Sequence, residues 1–241
     1  MIVTPELPVH LRKRLEQVGT ATLTQLLQRR GISNTFMAGL RPIDPDVRMV
    51  GVARTLRYLP FRSDIAKTLD PADSAQRRAV EAIRPGDVLV IDARGVESAG
   101  TIGDIFALRV FQLGGSGVVT DGGVRDTGAV RSLGGAMFHR SSHGATLQKE
   151  HLPWSIDEAI SCAGVFVQPG DIVVGDADGV VVVPFALAEE ISAEALDIEL
   201  ADEWAISRVR RGEPTNEVFP IAQHRRAEFE EWKKRRQEGE H

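Results

Sequence analysis

A twelve-residue phrase occurs twice in this chain. Pro85-Gly-Asp-Val-Leu-Val-Ile-Asp-Ala-Arg-Gly-Val96 returns as Pro169-Gly-Asp-Ile-Val-Val-Gly-Asp-Ala-Asp-Gly-Val180, identical at eight of its twelve positions. Each copy predicts a tight Pro-Gly turn, a short buried β-branched strand, and an Asp-x-x-Gly exit turn. Two such β-turn-β units suit one sheet and are too short for a solenoid.

Between and around the copies the pattern changes to helical spacing. Leu7, Leu11, Leu15 and Val18 recur at three- and four-residue steps. Thr20 or Thr22 is placed to cap a second helix carrying Leu23, Leu26 and Leu27, which Gly31 ends. A strand is expected around Met49 to Leu56 and a helix over Ser74 to Ile83. Next come a helix over Ile105 to Leu113, a strand over Gly117 to Asp121, and a helix over Asp126 to Leu133. Leu187, Ile191, Ala195 and Ile198 predict a long amphipathic helix within Phe185 to Arg211. Alternation of strands and helices defines an α/β chain. A single domain over 1–241 is the simplest organisation, with its core at about 15–215 and a charged helical extension at about 216–241. In that extension Phe229 and Trp232 are the large aromatic anchors, free to pack on another subunit.

Composition narrows the function. Of 241 residues 29 are basic and 34 acidic, a formal net charge of −5, which disfavours broad phosphate neutralisation and hence nucleic acid as a partner. The most apolar run, Gly179 to Val183, is far shorter than the roughly 20 residues that cross a bilayer, so no membrane role is expected. The first residues carry no apolar secretory core, which makes a cytoplasmic location the expectation. Cys162 is the single cysteine, so neither an intrachain disulfide nor a thiolate zinc cluster can form.

The turn Asp121-Gly-Gly-Val-Arg-Asp126 is the strongest site candidate. A strand ends there, Gly122 and Gly123 are expected to let backbone approach a ligand, and Arg125 and Asp126 open the next helix. Arginine offers a fixed fork for a carboxylate or enolate oxygen, and aspartate a hard oxygen for Mg²⁺ or Mn²⁺. The competing reading is a surface Arg-Asp pair that caps a helix. Upstream, Gly100-Thr-Ile-Gly103-Asp104 is a second glycine-flanked turn whose following backbone N–H groups can hold a small carboxylate. Asp104 is either an ordinary N-cap or a proton acceptor. A zinc site from His139, His143 and His151 would need a helix that the Ser/Gly context breaks, and adjacent Ser142 and His143 rarely face each other. Asp176-Ala-Asp178-Gly179 reads as a turn.

Gly103-Asp104 and Arg125-Asp126, set within Gly117-Val-Val-Thr-Asp-Gly-Gly-Val-Arg-Asp126, resemble the signature of one known family. It contains the 4-hydroxy-4-methyl-2-oxoglutarate aldolases and the regulator of ribonuclease activity A proteins. Leu40-Arg-Pro42 and the two Pro-Gly-Asp strands agree, and the resemblance spans roughly residues 15 to 215. It implies a central sheet of the swivelling β/β/α type flanked by helices, with helical arms at both ends. Trimers or hexamers with sites between subunits are implied too. So is a divalent-metal pyruvate aldolase that cleaves a 4-hydroxy-2-oxo acid and decarboxylates oxaloacetate; the alternative is a non-catalytic protein that binds and inhibits a ribonuclease. By position, Asp126 resembles the metal ligand and Arg125 the residue touching the pyruvyl group. Asp104 resembles the carboxylate positioning a metal-bound water, and the backbone of Gly103, Asp104, Ile105 and Phe106 the substrate cradle. Glu203, or less directly Glu199, resembles the glutamate lent by a neighbouring subunit's C-terminal helix. Where the family carries Asp before Ala-Leu, this chain has Gln25-Leu26-Leu27. The stretch from Phe138 to Gly144 and on to His151-Leu-Pro-Trp154 is expected to tune which substrate tail is accepted.

Overall fold

The two echoed segments lie on either side of one long strand. In this computed structural model residues 5–237 are described; residues 1–4 and residues 238–241, the end of the charged extension, lie outside the described residues. The chain opens with α1 (Val9–Leu15) and α2 (Thr20–Arg29), then β1 (Arg41–Pro42), β2 (Met49–Pro60), α3 (Ser63–Ala66), α4 (Ala75–Glu81) and β3 (Asp87–Asp92). The middle holds β4 (Gly100–Ile102), α5 (Asp104–Gln112), β5 (Gly117–Thr120), β6 (Gly123–Val124), α6 (Thr127–Ser132), β7 (Ala136–His139) and β8 (Ser141–Ser142). After them come β9 (His151–Ile156), β10 (Ile160–Cys162), β11 (Val165–Val167), β12 (Ile172–Asp176) and β13 (Gly179–Val183). Three helices finish the fold: α7 (Ala188–Val209), α8 (Thr215–Val218) and α9 (Arg226–Gln237).

The main sheet runs β1-β7-β5-β3-β2-β12-β13, with β9 pairing the far half of β2. Strands β2, β3, β5 and β7 are parallel, and β12 returns antiparallel along β2. The echoed strands therefore hold equivalent edges of β2, Val52 facing Asp87 on one side and Ile172 on the other. In both copies the exit aspartate accepts an N–H two residues on, Arg94 N–H to Asp92 and Asp178 N–H to Asp176.

Period-2 alternation sorts these strands between three cores. Val88, Val90, Val119, Val173, Val180 and Val182 point to the inside of the curled sheet, where the β10–β11 hairpin also packs. On the other face Leu89, Ile91 and Val118 meet α4, α5 and α6. Ile172, Val174, Val181 and Val183 meet α1, α2 and α7. The sheet curls far enough that a Cβ at Gly175 on β12 would lie 2.6 Å from the Phe138 ring on β7. Buried runs such as Val180 to Val183 thus read as continuously apolar because both faces are covered.

Two local expectations are corrected. Neither Thr20 nor Thr22 caps α2: its N-cap is Gly19, whose N–H goes to Glu199 at 2.9 Å, and Asp176 takes the Thr20 N–H and hydroxyl, each at 2.8 Å. Asp176 in its turn therefore serves as a remote anchor for the helix start. Phe229 and Trp232 pack within their own chain, against Trp204 of α7, where the rings of Trp204 and Phe229 meet edge-on at 5.8 Å. Among the described residues no helix is long and apolar enough to cross a membrane.

Candidate functional site

Asp121 fixes the turn after β5. One carboxylate oxygen accepts the Ala93 N–H at 2.7 Å, the other those of Gly95 and Ala163 at 2.9 and 3.2 Å. Burial still pushes its pKa up against those three bonds. Its work is mechanical: it ties the end of β3 and the β10–β11 hairpin to the turn.

Gly122 and Gly123 do not make room for a ligand. A Cβ at 122 would sit 2.6 Å from Thr101 Cγ2, and one at 123 would sit 2.6 Å from the Ala99 carbonyl. Their missing side chains are replaced by protein atoms. The glycines that shape the site are Gly100 and Gly103. A Cβ at 100 would collide with Cγ of Arg125, and a Cβ at 103 would lie 3.1 Å from Oδ2 of Asp126. Arg125 lies across the first glycine and the Asp126 carboxylate over the second, because β4 and β6 pair parallel at Gly100 and Gly123.

Both side chains are unengaged. Asp126 sits in the left-handed region (φ 57°, ψ 36°) and makes no side-chain cap of α6, whose first turn its carbonyl closes through Val130 N–H at 2.9 Å. The helix-capping reading of this pair therefore fails. Asp126 carries no side-chain hydrogen bond or ion pair among the described residues, and Arg125 has a buried Nε with no partner. Gly103 is the N-cap of α5, so Asp104 is its first helical residue rather than its cap; one Asp104 oxygen accepts the Ile105 N–H at 2.8 Å. Of the first-turn amides, those of Asp104 and Phe106 have no acceptor among the described residues.

The donor set suits a hard cation that keeps its water. Among the described residues no three His, Cys, Asp or Glu side chains converge on one point. A caged zinc or calcium is thereby disfavoured, whereas Mg²⁺ commonly binds through one or two carboxylates plus substrate oxygens. The bare carboxylate of Asp126, over a Cβ-free residue, meets that requirement. The three loop histidines serve other purposes. His139 Nδ1 faces the Arg41 carbonyl at 3.1 Å and His143 Nδ1 accepts the Ala145 N–H at 3.0 Å. Ser142 lies 3.4 Å from His139 Nε2. Cys162 is buried, its thiol pushed well up by desolvation, which fits an inert core residue.

Glu203 is not brought to this turn within one chain. It accepts from Arg236 Nε at 3.2 Å on α7, which packs on α1, α2, α8 and α9. Glu199 is occupied with Gly19 and with the Thr22 hydroxyl at 2.7 Å.

A cleft of about 620 Å³ opens beside Arg125 and Phe106 and runs along the start of α4 to residues 146–154. His151 to Trp154 line it and 138–144 do not. His151 is fully buried against Tyr58, ring centroids 5.5 Å apart. Arg94 Nη2 stands 3.2 Å from its Nδ1 and can only donate, which places the proton on Nε2, a donor with no partner. Desolvation first, then the Arg94 charge, lowers its pKa from 6.5 to about 4. Because the folded form resists protonation, the unfolded chain binds the proton first, and stability falls as pH drops from 6.5 towards 4. Between pH 7 and pH 5 this single group costs about 2 kcal/mol. Urea unfolding at the two pH values should show that loss in the wild type and a smaller one in His151→Gln; equal losses would refute the assignment. Sequence reasoning missed Arg77, which lines the cleft, and the burial of His151, since both depend on the fold.

An α/β protein with a curled mixed sheet and an unengaged Arg-Asp pair at a strand-to-helix turn is a defined structural class. A sequence model of the RraA-like family, described as Aldolase/RraA, matches residues 20–182, and the chain belongs to that family. A protein of Halalkalibacterium halodurans named "Putative 4-hydroxy-4-methyl-2-oxoglutarate aldolase" is 33% identical over 173 residues, 72% of this chain and 77% of that one. The crystal structure of Streptomyces coelicolor RraAS2, titled an unusual member of the RNase ES inhibitor RraA protein family, superposes with a TM-score of 0.77. It is 34% identical and the match covers 85% of this chain and 98% of that one. An uncharacterized Pseudomonas syringae protein shares the fold at a TM-score of 0.77 and 24% identity, covering 89% of this chain and 98% of its own.

Proposed function

We propose that the protein is a divalent-metal-dependent carbon–carbon lyase. Its substrates are a 4-hydroxy-2-oxo acid of the 4-hydroxy-4-methyl-2-oxoglutarate type, cleaved to release pyruvate, and oxaloacetate, which it decarboxylates. The observation carrying this reading is the unpaired Arg125–Asp126 couple seated on Gly100 and Gly103 at the start of α5. Mg²⁺ or Mn²⁺ on Asp126 would supply the Lewis acid for the pyruvyl oxygens.

The chain's own groups do the rest. The backbone from Gly103 to Phe106, with the Asp104 and Phe106 amides free of an acceptor, orients the substrate's C1 carboxylate. When the bond to C4 breaks, its electron pair moves onto the pyruvyl oxygen. Arg125, desolvated at Nε and already in place, offers fixed positive charge there, a contribution of about 3 kcal/mol. Asp104 holds the water that takes the 4-hydroxyl proton and returns a proton to C3, which gives pyruvate. Glu203 of a second copy's α7 completes the site, which makes a trimer or hexamer the working form. A stable monomer on a size-exclusion column with mass detection would contradict that assembly.

The wild type should release pyruvate from oxaloacetate and from 4-hydroxy-4-methyl-2-oxoglutarate with Mg²⁺, and EDTA should stop it. No turnover of either would overturn the proposal. The second reading, a non-catalytic protein that binds and inhibits a ribonuclease, draws support from the description of the Streptomyces coelicolor relative. A pure binder has no need of an unpaired carboxylate at residue 126, and the same assay separates the two.

A further inference from the structure

Three arginines line the cleft beside the site: Arg77, Arg78 and Arg125. Arg78 is paired, its guanidinium 3.1 Å from the Asp73 carboxylate. Arg77 and Arg125 have no carboxylate partner among the described residues. Arg77 is nonetheless held in place. Its Nε donates to the Pro71 carbonyl at 3.1 Å, and its guanidinium carbon lies 5.5 Å from the centre of the Phe106 ring. The ring contact and the backbone bond orient this exposed side chain and leave its Nη groups without a partner among the described residues. Phe106 belongs to the first turn of α5, the same turn that supplies the open amides, so the second cation is mounted on the substrate cradle itself. The wall between carries Leu147 and Trp154, apolar surface that suits a carbon substituent better than a string of hydroxyls.

We infer that Arg77 is a specificity-determining anion anchor for the second carboxylate of the dicarboxylic substrate proposed above. Arg125 faces the pyruvyl end and the Arg77 fork takes the distal carboxylate in a charge-assisted pair. This inference rests on the lyase reading for its substrate class, but its binding arm stands without turnover.

In the first arm, wild type, Arg77→Gln and Arg77→Lys are compared on 4-hydroxy-4-methyl-2-oxoglutarate and on 4-hydroxy-2-oxopentanoate, which lacks the second carboxylate. Arg77→Gln should raise KM for the dicarboxylate about 10- to 100-fold with kcat little changed, and leave the monocarboxylate unaffected. Arg77→Lys should restore part of the loss, since it keeps the charge without the planar fork. Arg78→Gln should not alter the ratio between the two substrates. In the second arm, calorimetric titration with Mg²⁺ compares 2-oxoglutarate, which has no 4-hydroxyl to cleave, with 2-oxobutyrate. Wild type should bind the dicarboxylate more tightly by a similar factor, and Arg77→Gln should erase that preference. Equal effects of Arg77→Gln on both ligand types, or none on either, would overturn the anchor even in an active lyase. An inactive wild type that still shows the Arg77-dependent preference would overturn the lyase reading and keep the anchor.

Discussion

Arg125→Ala should lower kcat for pyruvate release by 10²- to 10³-fold while leaving the melting temperature nearly unchanged. The factor follows from removing one preorganised charge from a site where water is partly excluded and negative charge develops in the transition state. Stability is spared because the side chain makes no hydrogen bond or ion pair, and its buried Nε is already without a partner. Asp126→Ala should be as severe and should in addition abolish the response to added Mg²⁺. Gly100→Ala is the stricter test, since it leaves both functional groups in the sequence. Its Cβ would collide with Cγ of Arg125 and drive the guanidinium off its seat, so activity should fall towards the Arg125→Ala level. Steady-state kinetics with calorimetric melting checks all three. Full activity in Gly100→Ala would mean that the position of Arg125 over β4 is irrelevant to the reaction.

Trp204→Ala should cost about 3–5 kcal/mol, the range for deleting a large buried aromatic side chain, and the loss should fall on one part of the molecule. Trp204 is fully buried in a small cluster with Ala205, Val218 and Phe229, separate from the three sheet cores. Arg208 and Arg225 lie on its ring, each at 5.3 Å, and both arginines are bridged by Glu213 and Glu228. With the indole gone, α9 is held to α7 among the described residues mainly by ion pairs such as Lys233–Asp197 and Arg236–Glu203. Hydrogen exchange should then become fast across 212–237 while the strands keep their protection. Trp204→Phe should be far milder, because it keeps most of the apolar surface and removes an indole N–H that has no acceptor. Uniform loss of protection throughout the chain would show instead that the arm and the sheet unfold as one unit. Since Glu203 adjoins Trp204 on α7, the same substitution tests whether the arm's placement matters to turnover.

Much of the fold was legible because the signals are local. Helical spacing placed α1, α2, α5 and α7 to within a few residues, and the echoed Pro-Gly-Asp phrase placed β3 and β12. The turn bearing Arg125 and Asp126 stood out as a strand end followed by glycines and a charged pair. The role of those glycines was misread. Gly122 and Gly123 are packed tightly by protein, and the room for the site comes from Gly100 and Gly103 on another strand. The β10–β11 hairpin and the small β4-β6-β8 sheet were also illegible, since strands of two or three residues carry too little alternation to register.

By itself the sequence determined the α/β alternation, the two turn-strand units and the presence of an arginine-aspartate couple at a helix start, because each depends on neighbours a few positions away. Only the tertiary structure decided that Arg77 and His151 share a cleft with Arg125, that Phe138 fills the space opposite Gly175, and that the charged tail folds onto Trp204. Those pairings join distant positions; Arg94 and His151 are 57 residues apart, and Thr20 and Asp176 are 156 apart. No spacing rule reaches that far, since such contacts are set by how the sheet curls and which helices cover it.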